Sequence, residues 1–181
     1  MAEITRALGD WIRELIEYNP RTGEFYWIAY KGIARPGDIA GSVYPNGYRY
    51  IQIDGQDYRA ARVAWFFVTG DNPSVFVDHA NGTRHDDRFE NLRLATSSQN
   101  QANAFWSTNT SGFKGVSWQP SRQKWIARIT VNGKAKNLGR YDTRPEAAKA
   151  YSRAAIEAWG EFATVMSDEE IDALDKALRV E

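Results

Sequence analysis

Apolar residues at Ile4, Leu8, Ile12, Leu15 and Ile16 recur every three or four positions through EITRALGDWIRELIEY. That stripe predicts an amphipathic helix over residues 3–18, ended by Asn19-Pro20. The period then shortens to two. GEFYWIA reads as a strand, and GYRYIQI, set between Asn46-Gly47 and Asp54-Gly55, reads as one limb of a hairpin continuing into QDYRAAR. ARVAWFFVTG is a short buried helix stopped by Gly70 and Pro73. Val75-Phe76-Val77 is strand-like and leads into the polar loop ANGTRHDDRFE. NLRLAT follows as a second short strand, and SSQNQANAF as a helix that Thr96 or Ser97 can cap.

Past the polar stretch Ser107–Gly112 the pattern begins again. FKGVSWQ, KWIARITV and KAKNLGRYD predict three strands, the last two joined by Asn132-Gly133, a tight-hairpin signal. RPEAAKAYSRAAIEAWG predicts a helix with Pro145 in its first turn and Gly160 as its stop. Its face of Ala147, Ala148, Tyr151, Ala155 and Ala158 is thin enough to lie close on a sheet. SDEEIDALDKAL places Ser167 and Glu170 in capping-box register before a final helix. Helices and antiparallel hairpins together make the expected class α+β.

Composition changes this picture in two ways. The chain has no cysteine, which excludes disulfides and thiolate metal sites, so any metal is held by oxygen or imidazole. No apolar run is long enough to cross a bilayer, and the expected location is the cytoplasm. Formal neutrality conceals a strong asymmetry. Residues 106–166 carry 10 basic side chains against 4 acidic ones, and residues 109–141 carry 7 basic and none acidic. Residues 167–181 reverse the sign, with 2 basic against 6 acidic, and can fold back on the basic segment. Such asymmetry points to a basic binding module, of the kind nucleic acid attracts, attached to a neutral one.

The candidate chemistry lies at VDHANG, where Asp78 and His79 close a strand. In a strand–loop–strand–helix frame they can converge with Asn91 and Asn100. A carboxylate and an amide oxygen suit Mg²⁺ (or Mn²⁺), with water positions left open. A neighbouring histidine takes a proton from water near neutral pH. Taken alone, Asp-His at a strand end is ordinary turn chemistry; the two asparagines make it a site. His85 reads as a solvated loop residue, Asn103 as a backbone contact, and most tryptophans as core, with Trp118 able to touch DNA sugars.

These residues resemble the HNH (ββα-metal) endonucleases, and above all phage and intron homing enzymes that nick DNA: Asp78-His79, Asn81-Gly82, DDRFENLRLAT with Asn91, and Asn100 in SSQNQAN. The likeness extends upstream through YNPRTGEFYW, PGDIAG and GYRYIQIDGQDYRAARVAWFFVTG. The resemblance implies His79 as general base, Asn91 as the group orienting it, and Asp78 and Asn100 as metal ligands. Two departures stand out. Ala61 replaces a frequent histidine, and Asp86-Asp87-Arg88 replaces Asp-Asn-Arg, adding a negative charge near a phosphate path.

The segment from Ser111 to Ala163 resembles the DNA-binding domain of plant ethylene-response factors, the APETALA family, notably in KGVSW, KWIARI, LGRYDT, EAAKAY and AAIEAWGEFA. That family lays its sheet in the major groove. Alternation places Ala127, Ile129 and Val131 toward the helix and Lys124, Arg128 and Thr130 outward. Lys114, Ser117 and Gln119 match outward reading positions on the first strand; Asn137 stands where plant members often carry tryptophan. Arg128 suits a bidentate guanine contact, and Arg122, Lys134 and Lys136 suit phosphates.

The expected organisation is an HNH nuclease domain over 1–106, a linker at 107–112, the three-stranded antiparallel sheet packed on one helix over 113–166, and an acidic helix over 167–181. The function expected of it is metal-dependent, strand-nicking DNA cleavage by a monomer. The alternative is a sequence-specific DNA-binding regulator whose nuclease fold no longer cuts.

Overall fold

The computed structural model describes residues 6–103 and 109–179. Glu3–Thr5 of the first expected helix, the end of the SSQNQANAF helix beyond Asn103 and the start of the expected linker (107–108) lie outside the described residues. The chain divides into two compact units between Thr96 and Ser97.

In the first unit, helix α1 (Arg6–Leu15) yields to strand β1 (Ile16–Asn19), which pairs antiparallel with β2 (Glu24–Trp27), Ile16 opposite Trp27. The helix is therefore shorter than its apolar stripe predicts. Ile12 and Ile16 are both fully buried, and a strand serves Ile16 equally well while it stacks Tyr18 on Phe25 with ring centroids 4.6 Å apart. Short β3 (Ser42–Val43) edges β4 (Arg49–Ile53), and β4 pairs with β5 (Gln56–Arg59) across the expected Asp54-Gly55 turn, both residues at positive φ. Helix α2 (Ala60–Thr69) follows at once and ends on Gly70 in the left-handed conformation. Ile12, Ile16, Phe25, Ile51, Ile53, Val63 and Phe66 form the core of this unit. Each such burial is worth about 1.5–3 kcal/mol. A Cβ on Gly9 would lie 2.1 Å from the Phe66 ring, so α1 can rest on α2 only because that position has none. Strands β6 (Phe76–His79) and β7 (Leu92–Ala95) form the hairpin that carries the candidate chemistry.

The second unit begins with helix α3 (Ser97–Ala102). Its sheet has the order β10–β9–β8, all antiparallel, from β8 (Val116–Gln119), β9 (Lys124–Val131) and β10 (Lys134–Tyr141). Asn132 and Gly133 both take positive φ at the hairpin, as the sequence predicts. Helix α4 (Arg144–Trp159) starts with a capping box in which the Thr143 side chain accepts from the Glu146 N–H. Of its expected face, Ala147, Ala148, Tyr151 and Ala155 are buried against Val116 and Ala127 at one end of the sheet and Ile129 at the other, while Ala158, near the helix end, is exposed. The last helix, α5 (Asp168–Ala177), has the expected Ser167–Glu170 capping box and buries Ile171 in the same core. Its acidic side chains meet basic ones of α4: Arg144 Nε lies 2.7 Å from Asp175 Oδ1 and Lys149 Nζ 2.8 Å from Asp172 Oδ2. The acidic segment thus folds back on α4, and α4 covers one face of the sheet. The fold is α+β throughout, with the nuclease-like hairpin first and the helix-backed sheet second.

Candidate active site and DNA-reading face

Asp78 and His79 are successive residues at the end of β6, and both are buried. Asp78 stands directly across from Arg93, and its Oδ2 accepts a hydrogen bond from Arg93 Nε at 3.0 Å. His79 is 4% exposed, and its Nε2 lies 3.0 Å from Oδ1 of Asp87, which is 1% exposed. The other carboxylate oxygen of Asp87 is 3.5 Å from Arg49 Nε. A carboxylate this deeply placed is faced by two proton-bearing groups, the imidazole within hydrogen-bond reach and the guanidinium just beyond it. Asp87 turns its carboxylate inward, onto the imidazole.

Asn91, expected to orient His79, acts on the loop and not on the ring. Its Oδ1 accepts from the Asn81 N–H at 3.0 Å and its Nδ2 donates to the Asp86 carbonyl at 2.8 Å. The backbone adds Ala80 N–H to the Asn91 carbonyl at 2.8 Å and Gly82 N–H to the His79 carbonyl at 2.9 Å. His79 is thus followed by a tight, closed turn. Asp86 closes the loop from outside, receiving Arg88 Nε and Nη2 and the Asn81 amide, and the Arg88 bonds hold its carboxyl down at about 2.

The turn at 86–89 is docked on the β1–β2 hairpin. Tyr18 donates its hydroxyl to the Asp87 carbonyl at 2.7 Å, and Phe89 N–H donates to the Pro20 carbonyl at 3.0 Å. Gly23, at φ +76°, comes so close that a Cβ there would lie 2.5 Å from Arg88 N. Burial beside the Asp87 carboxylate pushes the Tyr18 phenol well above its ordinary range, so it stays a donor.

His79 and Asp87 open on a crevice walled by Tyr48, Arg49, Arg59 and Arg84, with Ala61 at its side. The Arg59 guanidinium sits 3.9 Å from the Tyr48 ring centroid and that of Arg84 5.2 Å, so one aromatic ring is flanked by two cations. Arg84 also donates to the Asn46 carbonyl at 3.0 Å, and Arg59 Nε to the Tyr50 hydroxyl at 3.3 Å, which lowers the Tyr50 pKa. Guanidinium groups around an imidazole suit a phosphodiester. Neither Asp87 nor this arginine wall was foreseen. A loop aspartate reads as solvated unless its burial is known, and the arginines come from three separate segments. His85 is exposed.

Asn100 lies on α3, half-buried, in the second unit. There Asn103 receives a hydrogen bond from the Thr164 hydroxyl at 2.7 Å. On the sheet, Ser117, Arg128 and Thr130 are exposed on the face away from α4, with Gln119 and Lys124 half-buried on the same face. Lys124 is ion-paired with Asp142, and Gln119 Oε1 accepts from Arg140 Nε at 2.8 Å. Arg140, which sequence reasoning passed over, is thereby added to this face; a register shift between Asn137 and Gly139 brings it to the Arg128 side, and strict alternation along β10 would have placed it on the other. Arg122 is exposed in the turn before β9. Lys134 and Lys136 are exposed but stand opposite Val131 and Ile129, on the helix side of the edge strand. Trp118, 44% exposed, packs against Trp125 at 5.2 Å between centroids. Lys114 behaves differently from the reading position expected of it: its Nζ donates to the carbonyls of Gln101 at 3.0 Å and Ala102 at 2.8 Å, and burial lowers its pKa.

Compared with known families, residues 58–102 match the HNH endonucleases and residues 111–161 match the AP2 domain. The chain is 35% identical over 113 residues to Protein 3.8 of Escherichia phage T7, across 60% of its own length and 93% of that protein. It is 33% identical over 97 residues to a protein of Acanthamoeba polyphaga mimivirus named as an uncharacterized HNH endonuclease, across 53% of its own length and 50% of that protein. The described residues contain no helix long and apolar enough to cross a membrane.

Proposed function

We propose that this chain, which carries an HNH endonuclease domain and an AP2 DNA-binding domain, is a metal-dependent, strand-nicking DNA endonuclease of the homing or phage type, acting on double-stranded DNA as a monomer in the host cytoplasm. Residues 1–106 serve as its cutting module and 113–166 as its reading module. The observation that carries this reading is the buried His79–Asp87 pair opening on a crevice walled by arginines. A structural histidine needs no such wall, and a phosphate-binding patch needs no buried carboxylate behind the imidazole.

His79 is the general base. Its Nε2–H is held on Asp87 Oδ1, which makes Nδ1 the nitrogen that accepts a proton from the attacking water, and the carboxylate stabilises the imidazolium that results. Arg59 and Arg84, spread by Tyr48, hold the phosphodiester beside it. Asp78 and Asn100 would hold Mg²⁺ or Mn²⁺. Their donor set fits, being a carboxylate and an amide, with oxygen the only ligand atom. Such an ion supplies positive charge to the leaving 3′ oxygen. Asn91 keeps the turn after His79 closed.

The pairing of Asp78 with Arg93, and Ala61 at the crevice, favour one rival: a sequence-specific DNA-binding regulator on an inactive nuclease fold. Supercoiled plasmid incubated with Mg²⁺ or Mn²⁺, with and without chelator, separates the two. Metal-dependent nicking that is lost in His79→Ala supports the enzyme. Band shifts with no nicking by the wild type support the regulator.

A further inference from the structure

Helix α3 has six residues, too few to be stable alone in water. It lies inside the stretch that matches the HNH endonucleases, yet its side chains and carbonyls are fastened to the segment that matches the AP2 domain. Ser98 Oγ accepts the Trp159 Nε1–H at 3.0 Å and the Asn132 N–H at 3.2 Å. At the other end, Lys114 Nζ donates to the carbonyls of Gln101 and Ala102. These are C-terminal carbonyls of the helix, where an ammonium also meets the negative end of the helix dipole. Thr164 N–H donates to the same Ala102 carbonyl at 3.4 Å. The partners come from the loop before β8, the β9–β10 turn, the end of α4 and the segment after it. Both ends of α3 are therefore held, and Asn100 sits between them.

We propose that Lys114 and Trp159 of the AP2 domain are positioning residues for the nuclease: by clamping α3 they fix the presentation of Asn100, so the reading module is part of the cutting apparatus as well as its guide. This rests on the proposal that Asn100 is a metal ligand. It also gives Lys114 a role other than base reading. The side chain that the family resemblance would place against DNA closes a helix of the segment matching the HNH endonucleases.

The test uses the full-length protein with Lys114→Met, Lys114→Arg and Trp159→Phe, the last keeping most of the ring area while removing the N–H donor. Three quantities are measured: Mn²⁺ affinity by titration calorimetry in the absence of DNA, the Mn²⁺ concentration at half-maximal plasmid nicking, and DNA affinity by band shift. The expected result is about a tenfold weakening of Mn²⁺ binding, with a matching rise in the nicking midpoint, in Lys114→Met. A smaller change is expected in Trp159→Phe and near-recovery in Lys114→Arg, with band shifts unchanged within about twofold. A merely structural role would lower thermal stability and leave the Mn²⁺ isotherm alone, which overturns the proposal. So does a loss of DNA affinity with metal affinity intact, which makes Lys114 a reading residue. If the wild type binds Mn²⁺ without nicking, the function proposed above fails, and the calorimetric comparison still decides this one. A wild type that binds no Mn²⁺ overturns both.

Discussion

Replacing Asp87 by asparagine keeps the volume and shape of a side chain that is 1% exposed, while removing the charge that faces His79 at 3.0 Å. A hydrogen bond to a charged group is worth about 1.5–3 kcal/mol and a neutral one about 0.5–1.5, so the pair loses about 1.5 kcal/mol of support for the imidazolium. At 1.36 kcal/mol per decade that is about tenfold in rate. A second loss follows if the amide presents its NH₂ to Nε2: the ring then takes the other tautomer, with its proton on Nδ1. The equivalent change in a serine-protease triad costs about 10⁴-fold, which sets the ceiling. About a hundredfold is expected, measured as the single-turnover rate of plasmid nicking at saturating protein. Band-shift affinity should stay within about twofold, because Asp87 is buried. Arg49, 17% exposed and 3.5 Å from the lost charge, should cost the variant a few degrees of thermal stability. Asp87→Asn that nicks within twofold of wild type, beside an inactive His79→Ala, would refute the pairing as a catalytic device.

Three further outcomes are expected. Gly23→Ala meets Arg88 N at 2.5 Å and a backbone at φ +76°, so it should cost about 1–2 kcal/mol in urea unfolding and slow nicking by shifting Asp87; unaltered stability would contradict the docking of that turn. Arg128→Ala should weaken specific DNA binding by about 1–3 kcal/mol and relax preference at one base, whereas Arg122→Gln should lower the salt slope by about one at every sequence; identical effects from both would discredit the assigned roles. Asp86 has its pKa depressed from 3.8 to about 2, so its contribution is complete above about pH 4 and disappears as the pH falls through 2. With solvent screening it is worth about 1 kcal/mol, and the stability gap between wild type and Asp86→Asn should shrink on going from pH 7 to pH 2.5.

The parts of this chain that were legible in its sequence are those fixed by neighbours. The Asp54-Gly55 and Asn132-Gly133 hairpins and the Ser167–Glu170 capping box each follow from a few adjacent residues, and the structure has them in place. Helix α1 ended early because Ile16 satisfies either period, and the choice was made by Phe25 and Trp27 across the new strand pair. Asp87 was beyond reach for a related reason. Its inward turn is set by Tyr18, Pro20 and Gly23, more than sixty positions earlier, and nothing in DDRFE distinguishes the aspartate that is buried from the one that is not. The contacts of Lys114 were beyond reach because the likeness of its surroundings describes that domain by itself, and here α3 is beside it.

The seat built for the 86–89 turn by the first thirty residues carries a lesson for anyone wishing to transplant the cutting element. Excised as residues 58–102, the piece would keep its histidine, both asparagines and the hairpin between them. It would leave behind the phenol, the proline carbonyl and the bare glycine on which Asp87 rests, together with Arg49 opposite it. The portable unit begins near the start of the chain, and a graft cut to the borders of family likeness would arrive with its base unsupported.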